Sequence, residues 1–428
     1  MTVFSRGEIH HTLIQDFMNV LNGYNPFNTI FLPPDPLLTA EASRILSIFY
    51  PHRHSLLVPY ARTAFYCTLK ALGLEPGSRI LTTPITIYPF LDIIHALELE
   101  PVFIDIEMTT FSVDIEQLEA HILRFEPSCF LLTYLFGLVP DIERISSICL
   151  RHDVFLIEDF SQAIGASFKG VQLGNFGDVS IYSASITKFV DSYNGGFMTV
   201  KSTALHKRIS DLISSLPAPS PSRVRKIVRS TLITNVLLSI WGYVFITYPL
   251  LRFLKLFSPT SYLKLVGPRI FSELQPGNRL PSYYFESIST LQARQLLHHF
   301  VRLQHTLEAR KSTVKRVLTA ASLALAESSS SFTDHLKSLL QPKTDVSHVF
   351  WQVPIHVCST ESSQSLLFRY GIETGTTNLP LLSEALANDS FPNALALKRQ
   401  YIFVPLHRHL SVRRYSAFFR CLLRGRQL

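Results

Sequence analysis

From about residue 55 onward, short apolar runs alternate with stretches whose apolar residues recur at helical spacing. That alternation predicts a parallel sheet covered by helices, because each strand needs a crossover that packs back onto the sheet. Residues 63–72 read as a helix closed by Gly73, and Pro76-Gly77 turns the chain into a strand at 79–83. Further strands are expected at 101–106, 129–134, 154–157, 178–183 and 196–200. Helices are expected at 115–123, 141–152 and 201–213. Asp114 stands at the start of the first of these, with Gln117 three residues on as a capping-box partner.

The pattern then changes character. No acidic residue occurs between Asp211 and Glu273, and residues 230–251 carry no charge of either sign. Arg223, Arg225, Lys226 and Arg229 precede this run, and Arg252, Lys255 and Lys264 follow it. Ordinary globular patterning resumes near residue 285, with a long helix over 287–325, a Ser-rich patch at 328–331 and an α/β tail over 345–428. The chain therefore divides into an N-terminal segment (1–49), a large domain (50–205), a basic apolar insert (206–284) and a long helix with a small C-terminal domain (285–428).

Length and composition narrow the classes. A chain of 428 residues is long enough for a large domain and a smaller one, each with a core. Hydrophobic residues make up 47% and charged residues 17%, and the net charge is +8. That excess suits acidic ligands, nucleic acid or an anionic membrane. Nucleic acid is the weakest of the three, since Lys and Arg form no stripe interleaved with aromatics. The five cysteines stand singly with no CxxC pair, which fits reduced thiols in a cytosolic setting. Glu8 and Asp16 interrupt the start of the chain, so no signal peptide is expected. His52 with His54, His298 with His299 and His407 with His409 lack Asp, Glu or Cys at matching spacing, so no metal site is expected.

The chemistry-bearing stretch begins at Glu158-Asp159-Phe160-Ser161-Gln162, continues through Gly165, Gly170, Gly174 and Gly177-Asp178 to Tyr182-Ser183, and ends with Lys188 and Gly195-Gly196. An acid closing a buried parallel strand sits where α/β sheets place ligands. It could pair with a protonated ring nitrogen and keep a pyridinium working as an electron sink. A serine ending the next strand could donate to a phosphate. A lysine in an apolar setting has a lowered pKa, which makes it a capable nucleophile and proton carrier. Singly, each has a plainer reading as a helix cap, a turn residue or a surface charge. Their ordered spacing is what favours chemistry.

In that spacing the segment resembles the DegT/DnrJ/StrS family of pyridoxal-phosphate (PLP)-dependent sugar aminotransferases. The family pattern runs E-D-x-x-Q-x-x-G, then G-x-x-G-D, then a serine, and a lysine seven residues before G-G, with no gap here between Ser183, Lys188 and Gly195. The resemblance implies an α/β chain of PLP fold type I, with a mostly parallel sheet flanked by helices and a smaller C-terminal α/β domain. It implies that Lys188 carries the cofactor and shuttles the proton, Asp159 pairs with the ring nitrogen, Gln162 lies against the ring, and Ser183 binds the phosphate. Ala61-Arg62-Thr63-Ala64-Phe65 resembles the family's phosphate cup, so Arg62 and Thr63 are expected at the phosphate. Thr86 falls in the family's Thr position, and Tyr88 stands beside Ile87, where an aromatic usually stacks on the cofactor.

Downstream, residues 289–296, Gly371-Ile372-Glu373-Thr374 and Val404-Pro405-Leu406-His407 continue the resemblance. Phe285 and Ser287 replace the family's Asn and Arg that reach a neighbouring subunit's phosphate, and Asn194 replaces a Glu. The implied activity is transfer of an amino group, from glutamate, to a keto-sugar that is nucleotide-linked, by a cytoplasmic homodimer. Rival readings are a PLP enzyme acting on a non-sugar keto substrate and a catalytically silent, membrane-associated scaffold. The insert is long enough to cross a bilayer, which takes about 20 residues. One crossing would separate Lys188 from the C-terminal part of the same fold. A broken helix lying in an anionic interface over 225–270, at the inner face of the membrane, fits better, and so does a buried hairpin or an oligomer interface.

Overall fold

The computed structural model describes residues 12–22, 32–258, 260–262, 278–325, 345–377, 379, 381–382, 391–407 and 410–424. Among these residues nine strands precede the insert: β1 (His54–Val58), β2 (Arg79–Thr82), β3 (Glu100–Phe103), β4 (Cys129–Thr133), β5 (Phe155–Asp159), the short β6 (Ser167–Phe168) and β7 (Val171–Gln172), β8 (Val179–Ala184) and β9 (Gly195–Val200). Seven of them form one sheet in the order β1-β9-β8-β5-β4-β2-β3. The run from β3 to β8 is parallel, while β9 pairs antiparallel with both β8 and β1. The sheet is thus mostly parallel and carries helices on both faces.

Burial on both faces explains why these strands read as continuous apolar runs. All five residues of β4 are buried. Its side chains alternate between two cores. Phe130 and Leu132 join Leu156, Tyr182 and Phe197 beneath the helix Thr290–Val301, while Cys129 and Leu131 join Ile157, Ile181 and Met198 beneath the helix Ala61–Leu72. A smaller C-terminal body is built on β11 (Val353–His356) paired antiparallel with β12 (Tyr401–Val404), and its core also holds residues of the helices Leu303–Leu325, Thr360–Arg369 and Val412–Arg424. The remaining short strand, β10 (Val346–Ser347), pairs with β6.

Three local expectations are corrected. The strand expected at 101–106 ends at Phe103, with Ile106 making only an isolated bridge to Val113. The long helix is two: Thr290–Val301 and Leu303–Leu325, meeting at Arg302. Its start is a capping box of Ser289 with Gln292. Asp114 does cap its helix, accepting from the Glu116 N–H, but no capping box forms. The Asp114 N–H already donates to Asp105 O at 3.0 Å, so Gln117 bonds the Asp114 side chain instead. The Ser-rich patch at 328–331, His409 and Lys264 lie outside the described residues.

The insert is a broken helix. Pro221–Leu238 ends at Ser239, whose Oγ donates to Val236 O at 2.7 Å and accepts from Gly242 N at 3.1 Å. The chain then passes through Ile240–Gly242 and a π turn at Tyr243–Thr247 into the helix Tyr248–Phe257. Helix Leu13–Asn22 packs on the first of these around a buried carboxylate. Asp16 accepts from the Tyr193 hydroxyl at 2.7 Å and from the Asn235 amide at 2.8 Å.

Candidate active site

The carboxyl ends of β4, β5 and β8 lie side by side in the sheet, which is where open α/β sheets gather ligands. They present Thr133, Asp159 and Ser183 to a cavity of about 450 Å³. The loop after β8 adds Ser185, Thr187 and Lys188, and Gln162 follows from the segment after β5. The segment ahead of β11 contributes Trp351, the small body contributes Gly375 and Thr377, and the insert contributes Thr234 and Leu238.

Lys188 is the centre of this arrangement. It is 9% exposed, and its Nζ lies 3.9 Å from the centroid of the Trp351 ring. Loss of water around the amine pushes its pKa from 10.5 down to about 8, and the Asp159 carboxylate opposes that shift. The loop that carries the lysine is held at its backbone. The Lys188 N–H donates to Ser185 O at 3.1 Å, and Thr187, just before it, sits at φ +73°. Trp351 Nε1 donates to Thr187 O at 3.0 Å, pinning that strained residue from a segment 164 residues further along the chain.

Asp159 is 7% exposed, and burial raises its carboxyl above the usual range while two bonds from Ser161 and the charge of Lys188 oppose the rise. Both Ser161 bonds, from its N–H at 3.1 Å and its hydroxyl at 2.5 Å, fall on Oδ1. Among the described residues no hydrogen bond is made to Oδ2, which leaves an acceptor for a ligand. Ser161 Oγ also accepts from the Ser183 N–H at 2.9 Å, so one hydroxyl couples the acid to the serine at the end of β8. Gln162 is oriented by its Oε1, which accepts from Phe136 N at 2.8 Å.

Glu158, next to Asp159, faces the opposite side of the strand and has a different task. Fully buried, it accepts from the Tyr134 hydroxyl, the N–H groups of Gly174, Phe176 and Gly177, and the Ser180 hydroxyl, all within 3.0 Å. The glycine-rich turn ahead of β8 is thereby tied to β5. The acidic pair therefore splits into a structural anchor and a cavity acid.

The structure brings Asp159, Gln162, Ser183 and Lys188 into one cavity, and leaves Arg62 and Thr63 outside its lining. Arg62 is enclosed by aromatic rings, 5.0 Å from the centroids of both Tyr60 and Tyr284, and Thr63 Oγ1 donates to Tyr284 O at 2.7 Å. At this helix start only Ala61 borders the cavity. Tyr88 is also absent from the lining, and packs instead with the cluster of Leu91, Phe103 and Leu382. Phe285 stacks edge-on against Tyr66 at 4.9 Å within this chain, while Ser287 donates only its backbone N–H, to Pro217 O, and its buried hydroxyl makes no hydrogen bond among the described residues. Asn194 adopts φ +70° beside Gly195.

Sequence reasoning missed Trp351, Thr133 and the insert's Thr234 and Leu238. Trp351 is one of two tryptophans in the chain, and scarcity was its only signal. Chemically, the cavity offers an amine that is partly neutral near pH 8, a partner acid with an open oxygen, and hydroxyls from Ser183, Ser185 and Thr187 suited to an anion.

Residues 41–221 match the model of the DegT/DnrJ/EryC1/StrS aminotransferase family. A pleiotropic regulatory protein of Geobacillus stearothermophilus is 32% identical over 148 residues, covering 35% of this chain and 40% of the relative. A GDP-perosamine synthase of Caulobacter vibrioides is 26% identical over 147 residues, covering 34% of this chain and 39% of the relative. The chain thus aligns with about two fifths of the length of these curated relatives. Over the whole chain the likeness is structural. The putative sugar aminotransferase Spr1654 from Streptococcus pneumoniae, in its PLP form, superposes with a TM-score of 0.67 at 17% identity, covering 99% of each chain. The fold is therefore PLP fold type I.

Proposed function

We propose that the protein is a PLP-dependent aminotransferase that moves an amino group from glutamate to a keto-sugar, most naturally a nucleotide-linked one, as a cytoplasmic homodimer. The observation that carries this reading is the buried Lys188 amine, lowered to about 8, facing Asp159 across one cavity at the carboxyl ends of β5 and β8. The matches to the aminotransferase family, a GDP-perosamine synthase and a PLP-form sugar aminotransferase support the same chemistry.

The cavity fits the cofactor. Asp159 Oδ2 is available to accept from a pyridinium N–H, Gln162 lines the cavity where it would lie against the ring, and Ser183 with Ser185 and Thr187 would offer hydroxyls to the phosphate. The start of the helix Ala61–Leu72 adds its positive end beside Ala61. Arg62 and Thr63 support that helix end through Tyr283 and Tyr284 rather than touching the phosphate. When bound, PLP supplies the electron sink that makes a carbon-bound proton removable. Lys188 then acts as the base and acid at Nζ, and its lowered pKa keeps both protonation states accessible near neutrality. Asp159 would hold the ring nitrogen of bound PLP protonated, and the Trp351 ring stands over the lysine amine.

The test is spectroscopic. Purified protein incubated with PLP should show the visible absorption of the lysine-linked cofactor, and Lys188→Ala should lose it. Glutamate should then bleach that band, and mass spectrometry of a keto-sugar nucleotide panel should reveal the amino product. A protein that stays colourless with added PLP rejects the reading in favour of a silent scaffold. Amination of simple keto acids but no sugar would favour the non-sugar alternative.

A further inference from the structure

We propose that the broken helix of the insert is a docking face for an anionic lipid bilayer, lying in the plane of the membrane rather than across it. Along residues 233–257 the outward side carries Ile233, Val236, Ile240, Trp241, Phe245, Ile246, Leu250, Phe253, Leu256 and Phe257, all exposed. Trp241 and Phe257 are each 73% exposed, and Trp241 stacks on Phe245 at 5.8 Å, which gives the face an aromatic tip. With Phe253 also against Phe257 at 4.8 Å, so many exposed large apolar side chains in one segment call for an occupant.

Length and composition would allow Ile240–Phe257 to cross a membrane, but its inner side is already committed. Tyr243, Tyr248 and Leu251 are buried with Phe368 of the small body, and the Tyr248 hydroxyl donates to Phe368 O at 3.0 Å. Only one side of the segment is therefore free to meet lipid. That is the geometry of an in-plane amphipathic helix, whose apolar face sinks about 5–10 Å into the headgroup boundary.

Charge selects the occupant. Arg223 is already paired with Glu286 at 3.4 Å, but Lys226, Arg229 and Arg252 are exposed on the same helical segments, where no acid occurs from Pro221 to Phe257. The one acid of the neighbouring helix Leu13–Asn22, Asp16, is buried in its bonds to Tyr193 and Asn235. A second copy meeting this face through a two-fold axis would set these cations against themselves with no carboxylate on either helix to pair them. An anionic bilayer supplies the complementary charge. The inner side of the helix Pro221–Leu238 contributes Thr234 and Leu238 to the active cavity, so docking would set that cavity about one helix diameter, ~10 Å, from the surface.

Flotation of the full-length protein with vesicles tests this. It should float with phosphatidylcholine and phosphatidylglycerol mixed in equal parts, and not with phosphatidylcholine alone. Raised salt should weaken binding. Removing Arg229 and Arg252 together (Arg229→Ser, Arg252→Ser) should weaken it roughly fivefold per cation. In a Trp351→Phe background, emission of the remaining Trp241 should shift to the blue on mixed vesicles. No flotation with anionic vesicles would overturn the proposal, as would flotation indifferent to both the charge pair and Phe245→Ser with Phe253→Ser. The same apolar pair lowering the native mass by half, measured by light scattering, would also overturn it and assign the face to a second copy. None of these readouts depends on bound PLP.

Discussion

Replacing Asp159 by Asn isolates the electrostatics of the site. The asparagine oxygen can still accept from the Ser161 N–H and hydroxyl, so the local geometry is retained while the charge is removed. In the native protein the carboxylate partly offsets the burial that holds Lys188 at about 8. Asp159 and Lys188 form no direct ion pair, and an opposite charge acting through space over about 4–6 Å typically holds a neighbour's pKa by about 1–3 units. Losing it should drop the Lys188 midpoint to roughly 7 or below, each unit being worth about 1.4 kcal/mol. The assay is pulsed acylation of cofactor-free protein across the neutral and alkaline range, with the Lys188 peptide quantified by mass spectrometry. The peptide containing exposed Lys70 serves as the internal control. A midpoint that stays near the native value, or rises, refutes the coupling and with it the account of how the amine is tuned.

The remaining predictions concern stability and the support around the lysine. A lysine lowered to about 8 in the fold and near 10.5 when unfolded makes the unfolded chain the better proton binder between those values. Stability should therefore rise with pH through that window, by about 3 kcal/mol in all, because below it the buried ammonium carries its full cost. Lys188→Met should be more stable than the native protein at neutral pH, and the gap in urea midpoint should close as pH approaches 10.5. Glu158→Gln turns one acceptor oxygen into a donor facing the Tyr134, Gly174, Phe176, Gly177 and Ser180 donors, and should cost about 3–5 kcal/mol in denaturant unfolding. Gly137 sits at φ +81°, and a Cβ there would lie 2.7 Å from Trp351 N and 2.8 Å from Phe350 N. Gly137→Ala should cost about 2 kcal/mol or more and loosen Trp351, read as a drop in melting temperature together with a shifted Lys188 acylation midpoint.

Several features were legible in the chain alone because they are local. The strands β2, β4, β5, β8 and β9 follow from apolar runs bounded by turns, and the spacing from Glu158 to Gly196 singled out the residues that the end of β5 and the loop after β8 bring together. The polarity break at residue 230 likewise marked an insert whose helix is broken near Gly242 and restarts ahead of Pro249, while Asn235 lies inside the first helix. The direction of a side chain at a helix start was not legible. Arg62 and Thr63 stand one and two residues from Ala61, which borders the cavity, yet the pitch of the helix turns them toward Tyr283 and Tyr284, whose position is set more than two hundred residues later.

The sequence by itself determined which elements form and which lysine and acid stand at neighbouring strand ends, because periodicity and spacing act over a few residues. Only the tertiary structure decided what those groups are chemically. Lys188 is an ordinary amine until the cavity removes its water, and Trp351, brought from the far side of the insert, is the ring that covers it. Burial, and hence pKa, depends on contacts between segments more than a hundred residues apart, and no local pattern encodes those. The same holds for the insert: its apolar residues are written in the chain, but packing on Phe368 decides which side of the helix remains to meet a partner.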